Sequence, residues 1–128
     1  MLDRPKNYHK YPRYSIQNKV DQLWHEAQDR YNLSVYNPPK VIFVYSYKPY
    51  GATAWFDCIA INLRYFLYNE QFYYKNILYH EIAHCIVFCR YGWVNDNHGK
   101  EWKEVLKWLG VECKKELYYD DRKKKFYI

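Results

Sequence analysis

Hydrophobic positions along this chain change period from one stretch to the next. Ile16, Val20, Leu23, Trp24, Ala27 and Tyr31 recur at steps of three and four, the spacing of one helix face. Ser15 just ahead of them is a favourable N-cap, so the pattern predicts an amphipathic helix over about residues 15–31. Asn37-Pro38-Pro39 then breaks the chain. Residues 41–45 are β-branched or aromatic, and with Ser46 they form a strongly β-prone run. A turn at Pro49-Tyr50-Gly51 leads into two more strand-like runs, 52–56 and 59–63, with Asp57-Cys58 between or continuing them. Three short successive strands predict a small antiparallel sheet that needs a helix on one face. Residues 64–70 are ambiguous and compatible with a short helical turn.

Residues 71–89 contain no helix breaker and are apolar nearly all round, which predicts a buried helix of about five turns. Gly92 suits the position just past its end. After a loop at 93–97, Trp102, Val105, Leu106 and Leu109 mark a last helix over about 98–109, ended by Gly110. Residues 111–128 read either as a short hairpin across Asp120-Asp121-Arg122 or as a loose basic tail. The organisation is therefore α+β: a basic arm (1–14), one domain (15–110), and a C-terminal tail or hairpin (111–128).

The apolar helix carries the chemistry. It contains His80-Glu81-Ile82-Ala83-His84, an H-E-x-x-H string. Four helical residues bring His84 about 40° round from His80, one turn along. Their Cβ atoms then lie about 5–6 Å apart, close enough for two imidazoles to share one metal ion. Glu81 stands beside the first histidine, where a carboxylate can act as general base on a metal-bound water. At this chain's His and Glu content the string arises by chance in about one chain per hundred. The ordinary alternative is a buried helix whose histidines bond to backbone or carboxylates. A similar string, His25-Glu26-Ala27-Gln28-Asp29, lies off the apolar stripe of its helix and reads as a solvated face. His9, in the basic arm, reads as solvated too.

A catalytic zinc takes three protein ligands and keeps one position for water. Continuation as H-E-x-x-H-x-x-G-x-x-H would need Gly at 87 and His at 90, where the chain has Val87 and Arg90. The remaining candidates are His98, Glu101, Glu104 and Asp96. His98 is the best placed, at the start of the last helix and beyond a loop that can fold the chain back. Glu101 could instead cap that helix, with His98 as its N-cap.

The 128 residues suit one domain with a real core. Among them are 17 Tyr, 5 Trp and 6 Phe; tyrosines can line a groove with their hydroxyls wet, and a compositional bias of the source explains the number equally well. A formal net charge of +6 fits a polyanionic partner such as nucleic acid, although the basic residues are spread over both termini and the last helix. Cys58, Cys85, Cys89 and Cys113 form no C-x-x-C pair, which favours a reducing, cytoplasmic compartment. No signal peptide is expected at the N-terminus, and no apolar run is long enough to span a membrane.

Taken together, His80-Glu81-Ile82-Ala83-His84 followed by His98-Gly99-Lys100-Glu101-Trp102 resembles the SprT-like metallopeptidases, which include the Spartan proteases of DNA–protein crosslink repair. Their pattern is H-E-x-x-H and then H-G-x-x-F/W. The order of one helix, three strands and the motif helix is similar as well, so the resemblance covers about residues 15–110. It implies a zincin-like minimal metalloprotease domain, with one Zn2+ held by His80, His84 and His98 and with Glu81 as catalytic base. It further implies a protein or peptide substrate, with DNA-associated proteins among the targets. Many such proteins add a cysteine zinc ribbon after the second motif, but only Cys113 occurs there in this sequence. Contact with DNA, single-stranded or carrying bound protein, would then fall to basic residues such as Lys100, Lys103 and Lys107 and the two termini. Two other readings are open: a binding module that keeps the zinc without proteolysis, and a structural zinc closed by a fourth ligand such as Glu101 or Asp96.

Overall fold

The structure is a computed structural model and describes residues 13–45, 52–54, 57–63, 77–92, 94, 98–111, 118–120 and 125–127. The first helix, α1 (Arg13–Tyr31), buries the expected stripe: Ile16, Val20, Leu23, Trp24, Ala27 and Tyr31 are all inside. It begins two residues early, so Ser15 lies within the helix instead of capping it. Burial of the stripe outweighs the cap in fixing where the helix runs. Its end is a Schellman-type stop. Asn32 takes the left-handed conformation (φ 56°), and the Leu33 amide donates back to the Gln28 carbonyl at 3.0 Å. Leu33 then enters the core.

Three strands follow: β1 (Lys40–Val44), β2 (Ala52–Ala54) and β3 (Cys58–Asn62). They form one sheet in the order β1-β3-β2. β3 is antiparallel to β2, with Thr53 opposite Ala60, but parallel to β1, with Ile42 opposite Ala60. The expected all-antiparallel sheet is thus corrected to a mixed one. The reason is visible in burial. Ile59, Ala60, Ile61 and Asn62 are all buried, so β3 is covered on both faces and takes the centre. β1 alternates, with Val41 buried and Lys40, Ile42 and Val44 exposed, as an outer strand can. The Gln17 carboxamide ties α1 to β1: the Val41 amide donates to Gln17 Oε1 at 2.8 Å, and Gln17 Nε2 donates to the Pro39 carbonyl at 3.0 Å.

The motif helix, α2 (Leu78–Tyr91), packs on β2, β3 and α1. It reaches two residues past the expected Cys89, and its expected beginning at 71–76 lies outside the described residues, as do 64–70 and the turn at 49–51. Gly92 closes it with φ 72°, its amide donating to the Phe88 carbonyl at 3.0 Å. The last helix, α3 (Lys100–Leu109), packs on α2 through Trp102, Val105 and Leu106, all buried. Gly110 ends it in the left-handed region, with the Val111 amide bonded to the Leu106 carbonyl. Near the C-terminus, β4 (Tyr118–Asp120) pairs antiparallel with β5 (Lys125–Tyr127), Tyr119 opposite Phe126, which is the hairpin alternative for residues 111–128. Among the described residues no helix is long and apolar enough to cross a membrane.

Candidate metal centre

The α2 helix projects His80 and His84 from one side of its axis, and the chain entering α3 brings His98 to meet them. His84 Nε2 lies 3.3 Å from His80 Nε2 and 3.1 Å from His98 Nε2. The donor atoms of all three residues lie within 4.8 Å of one another and could hold a metal ion. Nitrogens bound tetrahedrally at the usual zinc distance of about 2.0–2.1 Å stand about 3.3 Å apart, so the two measured separations fit one shared ion. Hydrogen bonding alone fits less well. His84 Nε2 faces two other ring nitrogens, and one ring N–H can satisfy only one of them. His80 is 8% exposed, while His84 and His98 are half-buried, so the cluster has one sealed side and one open side.

Burial also sets the protonation states. The His84 imidazole is pushed down to about 4, chiefly by desolvation and then by His98. It is therefore neutral at physiological pH, the form in which a ring nitrogen can bind a metal. Glu81, next along α2 and 8% exposed, is pushed up to about 8 by desolvation alone. Below it on the helix, the buried Cys85 thiol is raised well above its ordinary value, first by burial and then by Glu81.

The structure brings His80, His84 and His98 together and leaves the other ligand candidates elsewhere. Glu104 is exposed and faces Arg30 at 3.8 Å. Glu101 stands outside the three-histidine cluster found among the described residues, and Asp96 lies outside those residues. His98 is not the N-cap of the last helix: Gly99 takes that place without a side-chain cap, and Glu101 falls in the first turn, where a carboxylate suits the helix dipole. His25, Glu26 and Asp29 are exposed on α1, as expected of a solvated face. Lys100, Lys103 and Lys107 are exposed on α3.

The sequence places Trp102 in an apolar stripe and at the aromatic position of the H-G-x-x-F/W pattern; in the structure it touches the whole site. Its indole is 1% exposed and its Nε1–H donates to the His80 carbonyl at 3.2 Å. Its ring centroid lies 4.8 Å from that of His80, 5.6 Å from His84 and 4.7 Å from His98. The signal in the sequence is its fixed place in that pattern, four residues after His98.

Comparison with known proteins agrees with this geometry. The SprT-like family model matches residues 17–119. Protein SprT of Cronobacter sakazakii is 33% identical over 107 residues, which cover 79% of this chain and 63% of that protein. Protein SprT of an Enterobacter species is 32% identical over 107 residues, covering 79% of this chain and 64% of that protein. The chain thus spans less than two thirds of the length of these curated relatives. No solved structure gives a significant match. The match over most of the chain and the three convergent histidines lead to one assignment: this protein belongs to the SprT-like family.

Proposed function

We propose that the chain is a zinc-dependent endopeptidase in which His80, His84 and His98 hold one Zn2+ and Glu81 is the general base. The convergence of three ring nitrogens on one point carries this reading. Three histidines with one position left over is a donor set of catalytic zinc, whereas structural sites favour cysteine. Bound zinc supplies a Lewis acid that polarises a peptide carbonyl and acidifies a coordinated water. Glu81 accepts the water's proton on a carboxylate oxygen and returns it to the leaving amide nitrogen. Without a metal, burial holds the Glu81 carboxyl near 8, mostly protonated at neutral pH, so its action as a base depends on the cation beside it. A neighbouring cation would draw that value down again. His84, kept neutral by burial, needs no deprotonation before it binds.

A substrate in extended form can add to the edge of the sheet. Within residues 52–63 that role falls to β2, the outer strand packed against α2, because β3 is paired on both sides. On α3, the exposed Lys100, Lys103 and Lys107 fall within about 60° of one another around the axis. This stripe supports contact with DNA, single-stranded or carrying bound protein, and with it a second reading: a binding module that keeps its zinc without proteolysis. Cys58, Cys85 and Cys89 form no disulfide with one another, in keeping with the reducing, cytoplasmic setting expected from the sequence.

The test is cleavage of casein and self-cleavage with zinc, with and without single-stranded DNA, for wild type and Glu81→Gln. Wild-type cleavage, lost in Glu81→Gln while zinc is retained, is the expected result. Equal cleavage by both proteins refutes the role of Glu81. A zinc-loaded wild type that binds DNA and cuts nothing favours the binding module.

A further inference from the structure

We propose that Trp102 is the positioning residue of the metal centre, a single indole wall that fixes the angles of all three imidazoles. The proposal rests on the reading of the histidine cluster as a metal site. Three observations converge on it.

The first is the hydrogen bond from Trp102 Nε1–H to the His80 carbonyl, 3.2 Å and buried. An indole N–H can only donate, and a helix carbonyl keeps a second lone pair after its helical bond is made. The bond therefore pins α3 to α2 at the residue that carries the first imidazole. The second is ring geometry. His80 and His98 stand nearly perpendicular to the indole, at 71° and 68°, while His84 lies nearly parallel to it, at 23°. With ring centroids 4.8, 5.6 and 4.7 Å from that of the indole, each of the three imidazoles is limited in its rotation by the same side chain. The third is chain position. Trp102 sits in the first turn of α3, four residues after His98 and across the Gly99 cap, so the contact that sets the register of α3 also sets where His98 arrives. Groups that orient metal ligands without touching the ion typically account for about 10–100-fold in metal affinity.

The experiment uses the full chain and three readouts that do not depend on activity. They are zinc affinity by competition with a chromophoric chelator, the visible spectrum of the Co2+-substituted protein, and quenching of tryptophan fluorescence by Co2+. Expected for Trp102→Leu is a loss of zinc affinity of about 10–100-fold and a weaker, shifted Co2+ spectrum. Trp102→Phe keeps an aromatic face but no N–H, and should recover part of the affinity. The quenching seen in wild type should fall sharply in Trp102→Phe, since Trp102 lies against the ligands. If Trp102→Leu does not fold, Trp102→Phe decides. A lower melting temperature with unchanged zinc affinity and unchanged Co2+ spectrum would make Trp102 an ordinary core residue and overturn the proposal. A wild type that fails to bind one zinc would overturn the metal-centre reading itself.

Discussion

Replacing Glu81 by Gln in the metal-free protein should make stability less sensitive to alkaline pH, by an amount the structure allows to be worked out. Glu81 is 8% exposed and its carboxyl group is raised from 4.5 to about 8 by desolvation. A raised value means that the folded state keeps a proton which the unfolded state releases. The contribution to stability is full below 4.5 and is lost as pH rises through 8. His84 works in the opposite direction. Its value is lowered from 6.5 to about 4, so stability is lost as pH falls from 6.5 towards 4. Between 4.5 and 6.5 the two slopes oppose each other. From 6.5 to 8 the Glu81 slope dominates, and His84 cancels between the two proteins; at 1.36 kcal/mol per pH unit for a fully protonated group, falling to half at 8, the loss from Glu81 is about 1.6 kcal/mol. For a domain of this size that corresponds to about 5–8 °C in melting temperature. Thermal melts of wild type and Glu81→Gln in a chelating buffer, from pH 6 to 8.5, measure it. The difference should widen in favour of Glu81→Gln across this window. With zinc bound the widening should shrink, because a nearby cation favours the carboxylate. A difference that stays flat from 6.5 to 8 without metal would show that Glu81 is solvated and does not titrate as a buried acid.

Other expectations concern the ligands, the basic stripe and the core. His98→Ala removes one of three donors and should reduce zinc affinity by more than the roughly 10–100-fold typical of an orienting group, as read by chelator competition; retention within that range would remove His98 from the donor set. Changing Lys100, Lys103 and Lys107 together to Ala should weaken binding of a single-stranded oligonucleotide and flatten its salt dependence while zinc affinity stays unchanged; unaltered binding would clear this face of the role. Trp24 is fully buried and donates its Nε1–H to the Tyr36 carbonyl at 3.2 Å, so Trp24→Phe should cost about 2–3 kcal/mol from lost packing and a lost partner. Denaturant unfolding checks it, and a cost below about 0.5 kcal/mol would contradict the packing.

What the sequence reveals differs between helices and sheet. The stripe of α1 is legible residue by residue because a helix repeats locally, and each apolar position declares its face without reference to the rest of the chain. The His80 and His84 pair is legible for the same reason. Strand order is not local. Three successive strands suggest a meander, but β3 inserts between β1 and β2. A sign of this was present, since Ile59-Ala60-Ile61 is apolar without alternation, as a strand buried on both faces requires, while Lys40 to Val44 alternates. α3 starts at Lys100, two residues after the expected His98, because Gly99 takes the cap position and the His98 imidazole is turned toward His84.

The position of His98 depends on more than its place in the chain. The loop between α2 and α3 could deliver an imidazole to many points near the motif helix, and nothing in H-E-x-x-H selects one of them. What narrows the choice is the packing of α3, fixed by Trp102, Val105 and Leu106 in the core. Of these, only Trp102 also bonds to the backbone of α2, at His80. An apolar residue of equal size would bury similar area, but it would leave α3 free to slide or rotate slightly on α2. A slide of 1 Å is a large fraction of the 3.1 Å that separates His84 Nε2 from His98 Nε2 and would spoil a tetrahedral donor set. The His98 and Trp102 pair is therefore best regarded as a single device, in which one member supplies the nitrogen and the other fixes where that nitrogen arrives.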